Sequence, residues 1–478
     1  MSIKKSLMWM GGAQILSLVL QFASTIVLAR YLSLHDAGIY AVALALVAVL
    51  ALVQHLGLQA LIVREEVLTP EISTTAFTIN ALISLALAGV IGAIATFGGA
   101  YLGDPGVQRA LSVLAITPLF QIFIFLPAAT LERHGQFKEI ALVGTAATVC
   151  GTIATIVFVL LGYSYMSVPY AQWVNGGVNA VLMTIVGFHH VSFRIGFRAW
   201  RRIGDFGLQM LAVSGINSLS TRLSDIILAR TLGLSALGLY SRASSLNGMI
   251  WTNVHLLIGR VMLVDYAVLY RSGTSLRSRY LQTVEIVTAL LWPLFIGFAV
   301  IAKPFIFTVY GERWVGAAVP LALIMLGSAI QVAITMTWEL FAATGQLRTQ
   351  TRIEFIRSGV ALGAFAIGCM ISIEAAAAAR VIDAIFALIL YRPHLNRMTD
   401  TQLADFHGIY GRSLLLTLLA CGPAGALSIA YGFAADIPPL YLGAAIAVGI
   451  GLWGGGLLVL RHPMLTELRR RPKTPAAS

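Results

Sequence analysis

Arg222 and Asp225 stand three residues apart inside an otherwise apolar stretch, and a second apolar stretch follows with Arg242, Asn253 and Arg260. Offsets of 11 and 18 residues are whole helical turns, so these last three share one helix face over about 27 Å at about 1.5 Å per residue. A guanidinium in such a place costs several kcal/mol unless it faces a partner or a water-filled cavity. Its planar fork also suits bidentate binding of phosphate. The chemistry on offer is capture of an anion by Arg222, Arg242 and Arg260, rather than bond breaking. Two plainer arrangements use the same residues: an internal Arg222–Asp225 ion pair, and an Arg260 that snorkels to headgroups at the membrane surface.

Acids lie within apolar stretches as well, at Asp225, Glu285, Glu339 and Asp383. An acid in a membrane interior can carry a coupling proton or sodium ion, and Asp225 and Glu339 are the candidates for that task. Asp383 has Arg380 three residues before it as a simple partner. A milder polar strip accompanies the charges. Gln14, Ser17, Gln21 and Ser24 follow at spacings of three and four, which lines one helix face. Two hundred positions later the same places hold Ser214, Asn217, Thr221 and Ser224. Such a strip serves either as helix–helix glue or as a cavity wall. Charges join it only in the later copy, which favours a wall built from Gln14, Gln21, Asn217, Thr221 and Asn253.

The elements that must position these residues come from a duplication. Val27 to Tyr40 (VLARYLSLHDAGIY) returns as Ile227 to Tyr240 (ILARTLGLSALGLY), and Ser24–Leu56 matches Ser224–Leu256 at 13 of 33 positions without a gap. Gly135-Gln136 reappears as Gly345-Gln346. A duplicated unit in a hydrophobic chain is the architecture of many secondary transporters. Arg30 and Arg230 close the first helix of each copy, where a cation complements the helix dipole. Each is followed by a Gly-hydrophobe-Tyr that opens the next span, so both read as a structural turn or outer gate.

The 478 residues are 58% hydrophobic and 11% charged, with a mean hydropathy of +0.85. A soluble domain carries about 25% charged residues, so most of this surface meets lipid. Apolar runs of about 20 residues recur, and helices are the form that satisfies their backbone in hydrocarbon. Fourteen spans are expected: 6–30, 39–63, 75–100, 107–130, 140–161, 168–189, 207–230, 236–264, 281–302, 317–343, 353–373, 375–391, 412–434 and 439–460. With both termini cytoplasmic, most of the 32 Lys and Arg fall on the cytoplasmic side, as the positive-inside rule requires. Six helices separate the starts of spans one and seven, so the two lobes are parallel.

The expectation is therefore an all-α integral membrane protein with two six-helix lobes, 1–189 and 207–391, and a helix pair at 412–460. Basic cytoplasmic linkers at 190–206 and 392–411, read as interfacial helices, join these parts, and a basic tail covers 461–478.

Several function classes are excluded by what is missing. Cys150, Cys369 and Cys421 are scattered in apolar spans and form neither a disulfide framework nor a metal motif. No phosphate-cradling glycine loop before a lysine and no paired-aspartate motif of a sugar-nucleotide transferase is present, and no loop is long enough for a catalytic domain. The first apolar stretch is too long, and too polar at Gln14 and Gln21, for a cleaved signal. The net charge of +12 is accounted for by anionic lipid headgroups, without nucleic acid.

Ile227 to Leu246 (ILARTLGLSALGLYSRASSL) resembles the hallmark of Wzx-type polysaccharide flippases, in particular their colanic-acid-exporter-like branch. Tyr310-Gly311-Glu312-Arg313-Trp314 and Ala343-Thr344-Gly345-Gln346 are similar to further motifs of that branch, in order. The likeness covers about the first 390 residues. Arg242 falls on the arginine of the branch's Tyr-Ser-Arg-Ala stretch and Arg260-Val261 on its Arg-Val pair. The Pro-containing turn that follows there is replaced here by Met262-Leu263-Val264-Asp265-Tyr266. The resemblance implies the multidrug/oligosaccharidyl-lipid/polysaccharide exporter superfamily, with two lobes flanking a central cavity. It also implies a cargo, an undecaprenyl-pyrophosphate-linked oligosaccharide turned over across the bacterial inner membrane.

The reading that follows is a non-enzymatic flippase working by alternating access for surface polysaccharide synthesis. It needs no cofactor beyond proton or sodium coupling, and its partners are the lipid-linked oligosaccharide, membrane lipids, and polysaccharide polymerase or chain-length proteins. A drug or metabolite antiporter of the same superfamily would prefer an acidic, aromatic cavity. A membrane glycan polymerase or ligase would need a sizeable outer loop. A non-transporting scaffold of a glycan assembly complex makes the third alternative.

Overall fold

The computed structural model describes residues 3–55, 58–64, 68–99, 103–188 and 194–465. The side chains of 3–11, 13–15, 204–218, 252–257, 260–261 and a few single positions lie outside that description. Every regular element among the described residues is helical. Eight helices there are long and apolar enough to cross a membrane; several others of similar length carry charges, and Ser167–Gly187 is uncharged but holds Gln172, Asn175 and Asn179. The chain divides into two compact units, Met1–Ser241 and Arg242–Ser478.

The first unit contains α1 (Ile3–Tyr31), α2 (Leu34–Ala51), α3 (Leu58–Arg64), α4 (Pro70–Phe97), α5 (Pro105–Leu114), α6 (Thr117–Arg133), α7 (Phe137–Leu160), α8 (Ser167–Gly187) and α9 (Trp200–Leu232). Local chemistry sets their starts. Ser33 and Asp36 form a reciprocal capping box before α2, with Ser33 Oγ accepting from the Asp36 N–H at 3.0 Å. Thr69 and Asp104 cap α4 and α5, each followed by a proline whose missing N–H costs nothing in the first turn. Leu61, Ile62, Phe77 and Leu126 form a buried core between α3, α4 and α6.

Of the interfacial helix expected over 190–206, residues 190–193 lie outside the described residues and 200–206 are helical as the start of α9. Residues 194–197 are non-helical, because their neighbours satisfy the backbone from the side. Gly196 N–H donates to Thr78 Oγ1 at 2.9 Å, Ala199 N–H to Thr75 Oγ1 at 3.3 Å, and Arg198 pairs with Glu71 at 2.8 Å.

The second unit holds most of α10 (Leu234–Arg271), then α11 (Arg277–Val300), α12 (Ala302–Tyr310), α13 (Ala318–Val332), α14 (Thr337–Ala343), α15 (Leu347–Cys369), α16 (Ile373–Thr399), α17 (Leu403–Ala430) and α18 (Pro439–Val459). The expected span 317–343 is broken between α13 and α14, where Met336 takes a left-handed φ of 60°. The freed carbonyl of Ala333 is claimed by two side chains, Arg392 Nη2 and Tyr410 Oη, each at 2.9 Å. Non-helical backbone at membrane depth persists only with such partners. Residues 392–399, expected in a linker, continue α16. The last pair docks on α11: Thr288 meets Ser413 at 2.8 Å, and Trp453 Nε1 donates to the Ala289 carbonyl at 3.0 Å.

The duplication is visible in backbone geometry. After α6 and after α14 the chain turns through Gly135 (φ 70°) and Gly345 (φ 72°). In both turns the next glutamine N–H reaches back, Gln136 to Leu131 O at 2.9 Å and Gln346 to Phe341 O at 2.8 Å. This is the Schellman stop, which favours glycine in the left-handed position.

Candidate functional site

Arg222 and Asp225 lie one turn apart on α9, with Nη1 3.8 Å from Oδ2, and the arginine side chain is 45% exposed while the aspartate is 18% exposed. The pair thus exists, yet its cation still faces outward. Ser224 between them is buried and donates back to the Ser220 carbonyl at 2.9 Å, and Thr221 beside Arg222 is exposed. On α1, Gln21 is exposed too. Gln14, Asn217, Asn253 and Arg260 fall where side chains lie outside the described residues. Arg30 and Arg230 occupy the last turns of α1 and α9 and are exposed.

The turn after each of those helices leads into a tight crossing. A Cβ on Gly38 of α2 would fall 1.9 Å from the Leu234 carbonyl oxygen, and one on Gly238 of α10 would fall 2.3 Å from that of Leu34. Gly38 and Gly238 are repeat equivalents, as are Leu34 and Leu234, so the crossing has a local two-fold form. Both positions require glycine because backbone meets backbone there.

Arg242 follows immediately and is only 4% exposed. Its guanidinium carbon sits 5.6 Å from the Tyr310 ring centroid and 5.0 Å from that of Trp314, both fully buried rings. Gly311, at φ 98°, bends the chain between them. Two motifs that the sequence presents separately, Tyr-Ser-Arg-Ala and Tyr-Gly-Glu-Arg-Trp, therefore meet as one cation–π cage. In this conformation Arg242 offers no open face to an anion. Glu339 lies in the first turn of α14, just past the break, and is 2% exposed.

Among the described residues, a dense charge cluster lies between α15 and α16, at residues mostly absent from the sequence-derived candidates. Arg357 binds Glu354 at 2.5 Å and Asp383 at 3.1 Å, and Tyr391 Oη donates to Glu354 at 2.7 Å. Asp383 thus pairs across the hairpin with Arg357, while Arg380 lies over the Phe365 ring at 5.2 Å. The signal was present as two Arg–acid pairs at i,i+3 in consecutive spans, Glu354–Arg357 and Arg380–Asp383. Glu285 meets Arg412 at 3.1 Å and His462 at 3.8 Å. Burial and Arg412 hold the His462 imidazole down to about 4. Among the described residues no group of three His, Cys, Asp or Glu is placed to hold a metal ion.

The family model described as polysaccharide biosynthesis protein matches residues 27–319, the segment that holds the crossing, the Arg222–Asp225 pair and the Arg242 cage. The chain belongs to the polysaccharide biosynthesis protein family. Among relatives, it is 23% identical over 314 residues to the lipopolysaccharide biosynthesis protein WzxC of Escherichia coli, covering 64% of this chain and 63% of that one. It thus spans just under two thirds of that relative's length. To the succinoglycan biosynthesis transport protein ExoT of Rhizobium meliloti it is 22% identical over 463 residues, covering 96% of this chain and 94% of that protein. The solved lipid II flippase MurJ, in an inward closed conformation, superposes with a TM-score of 0.73 at 14% identity, covering 96% of this chain and 99% of that one. This member of the polysaccharide biosynthesis family is accordingly a multi-pass membrane protein with the fold of that flippase.

Proposed function

We propose that the protein turns over an undecaprenyl-pyrophosphate-linked oligosaccharide from the cytoplasmic to the outer leaflet by alternating access, with both termini cytoplasmic. The observation that carries this reading is a half-exposed arginine, Arg222, on the polar strip of a duplicated helix in a chain of this family and fold. Asp225 holds the guanidinium only loosely at 3.8 Å, so a pyrophosphate can replace it as partner through charge-assisted bonds. The Gly38–Gly238 crossing serves as the seal at the outer end, and its parting exposes the cargo there. Direction requires that loaded and empty forms prefer different states; proton or sodium binding at Asp225 or Glu339 supplies that bias. Polymerase and chain-length proteins would receive the product.

Substitution of Arg222 tests the reading in the native host. Arg222→Ala should abolish surface polysaccharide while membrane levels of the protein stay normal, and Arg222→Lys should retain part of the activity. Normal polysaccharide in Arg222→Ala would refute the assignment. Loss of polysaccharide with no accumulation of the lipid-linked precursor would instead point to a scaffold.

A further inference from the structure

Arg392 is an uncompensated buried cation. It is 7% exposed, and among the described residues no carboxylate lies within ion-pairing distance of it. Its Nη2 donates to the Ala333 carbonyl and to Tyr410 Oη, and its guanidinium stacks 4.2 Å from the Phe406 ring centroid, but its buried Nη1 has no hydrogen-bond partner. Neutral acceptors and a ring face do not cancel a full charge, and a buried ion without a counter-ion costs several kcal/mol.

The space beside it is shaped for something apolar with a charged end. Arg392 lines a cavity of about 480 Å³ whose other walls include Leu388, Ile389, Leu403 and Tyr410. Ile389 and Leu403 are each 63% exposed, so the cavity opens onto an apolar part of the protein surface. Its depth in the bilayer follows from the helix ends. Arg392 lies in the last two turns of α16, α17 begins at Leu403, and Arg277 at the start of α11 pairs with Asp405 at 2.8 Å. This end also carries Arg279 and Arg397, and loops rich in arginine face the cytoplasm. Basic pockets between helices on that side take anionic lipid headgroups.

We propose that this cavity binds the phosphodiester headgroup of an anionic membrane lipid of the cytoplasmic leaflet, with Arg392 as its counter-charge and Leu388, Ile389 and Leu403 along the acyl chains. The bound lipid braces the break between α13 and α14 through Arg392 and the Ala333 carbonyl. Neither the transported cargo nor the direction of transport enters this assignment.

The test titrates the purified full chain with phosphatidylglycerol and, separately, with phosphatidylethanolamine of the same chains, and counts bound lipid by native mass spectrometry. One tight phosphatidylglycerol is expected, with affinity lowered about tenfold in Arg392→Gln, as for a charged hydrogen bond. Leu388→Trp, which fills the cavity and leaves the arginine in place, should give the same loss and decides alone where Arg392→Gln fails to fold. Millimolar inorganic phosphate should not displace the lipid. Equal binding of both lipids, unchanged affinity in the variants, or displacement by phosphate would each overturn the proposal.

Discussion

One helical hairpin occurs twice in this chain and is held by different chemistry each time. In the first copy, α7 against α8, no Asp, Glu, Lys or Arg occurs from residue 140 to 187. Phe158, Tyr163, Tyr170 and Trp173 pack edge to face or tilted with centroids 5.6 to 5.9 Å apart. Asn175 donates to the Ala147 carbonyl at 3.1 Å, across Gly151. In the second copy, α15 against α16, the offset of 210 puts Arg357 where Ala147 stands and Glu354 where Gly144 stands. The duplicated turn glycines remain, so the frame was kept while the interior was exchanged. An apolar hairpin tolerates sliding because dispersion is non-directional. The charged one is stable only as a complete set, since any motion that separates Arg357 from its acids exposes buried charge. That difference predicts that α15–α16 resists sliding more than α7–α8 does.

The largest expected effect attacks that difference directly. Arg357→Met takes the shared cation from the part-buried Glu354 and Asp383, leaving only Arg380 near the latter, and should cost about 3 kcal/mol, read as a lower unfolding temperature in detergent. Asn175→Ala, the matching cut in the first copy, should cost about 1 kcal/mol. Adding Glu354→Gln and Asp383→Asn to Arg357→Met should recover most of the loss. If the two single substitutions cost the same, the contrast between the hairpins has no energetic content.

Where the copies agree, the effects should agree. Gly38→Val and Gly238→Val each push a side chain into a carbonyl of the other helix, and overpacking of this kind costs about 1–3 kcal/mol. Both should impair polysaccharide export alike at normal protein level, since a crossing wedged apart cannot close as the proposed seal. Impairment by only one of them would show that the crossing is not two-fold in function. Smaller still is the Arg242 cage, whose first-copy equivalent is the buried Val42. Arg242→Val should cost about 2 kcal/mol, and Trp314→Phe less, as desolvated cation–π contacts do.

Hydropathy made the helical body legible, and the repeat made its duplication legible, because both are written in residue type along the chain. The break between α13 and α14 was not. Its carbonyl is rescued by Arg392 and Tyr410, 59 and 77 residues downstream, and a hydropathy window reads side chains rather than backbone partners. The site shows the same limit. Arg222, Arg242, Asp225 and Glu339 stand out as charges among apolar neighbours, but whether a charge faces water or a ring depends on distant residues. Arg242 looks like a cavity wall until Tyr310 and Trp314 fold over it. Arg357 was harder, since it sits near the expected start of a span where a snorkelling cation is ordinary.

The helix pair α17–α18 has no counterpart in the first copy, and it supplies the smallest and most conditional effect. His462, just past α18, is fully buried, and its Nδ1 accepts the Met464 N–H at 3.2 Å. Its Nε2 lies 3.8 Å from Glu285 Oε1, the oxygen that Arg412 also meets at 3.1 Å. Burial and Arg412 lower the imidazole from 6.5 to about 4, so between those values the unfolded chain binds more protons than the folded one. Stability must then fall as the pH drops from 6.5 towards 4, and His462 contributes no slope above 6.5. His462→Gln should flatten that acid limb while leaving the unfolding temperature at pH 7.5 nearly unchanged. An acid limb of equal steepness in the variant would move the titration elsewhere and leave the docking of α17–α18 independent of pH.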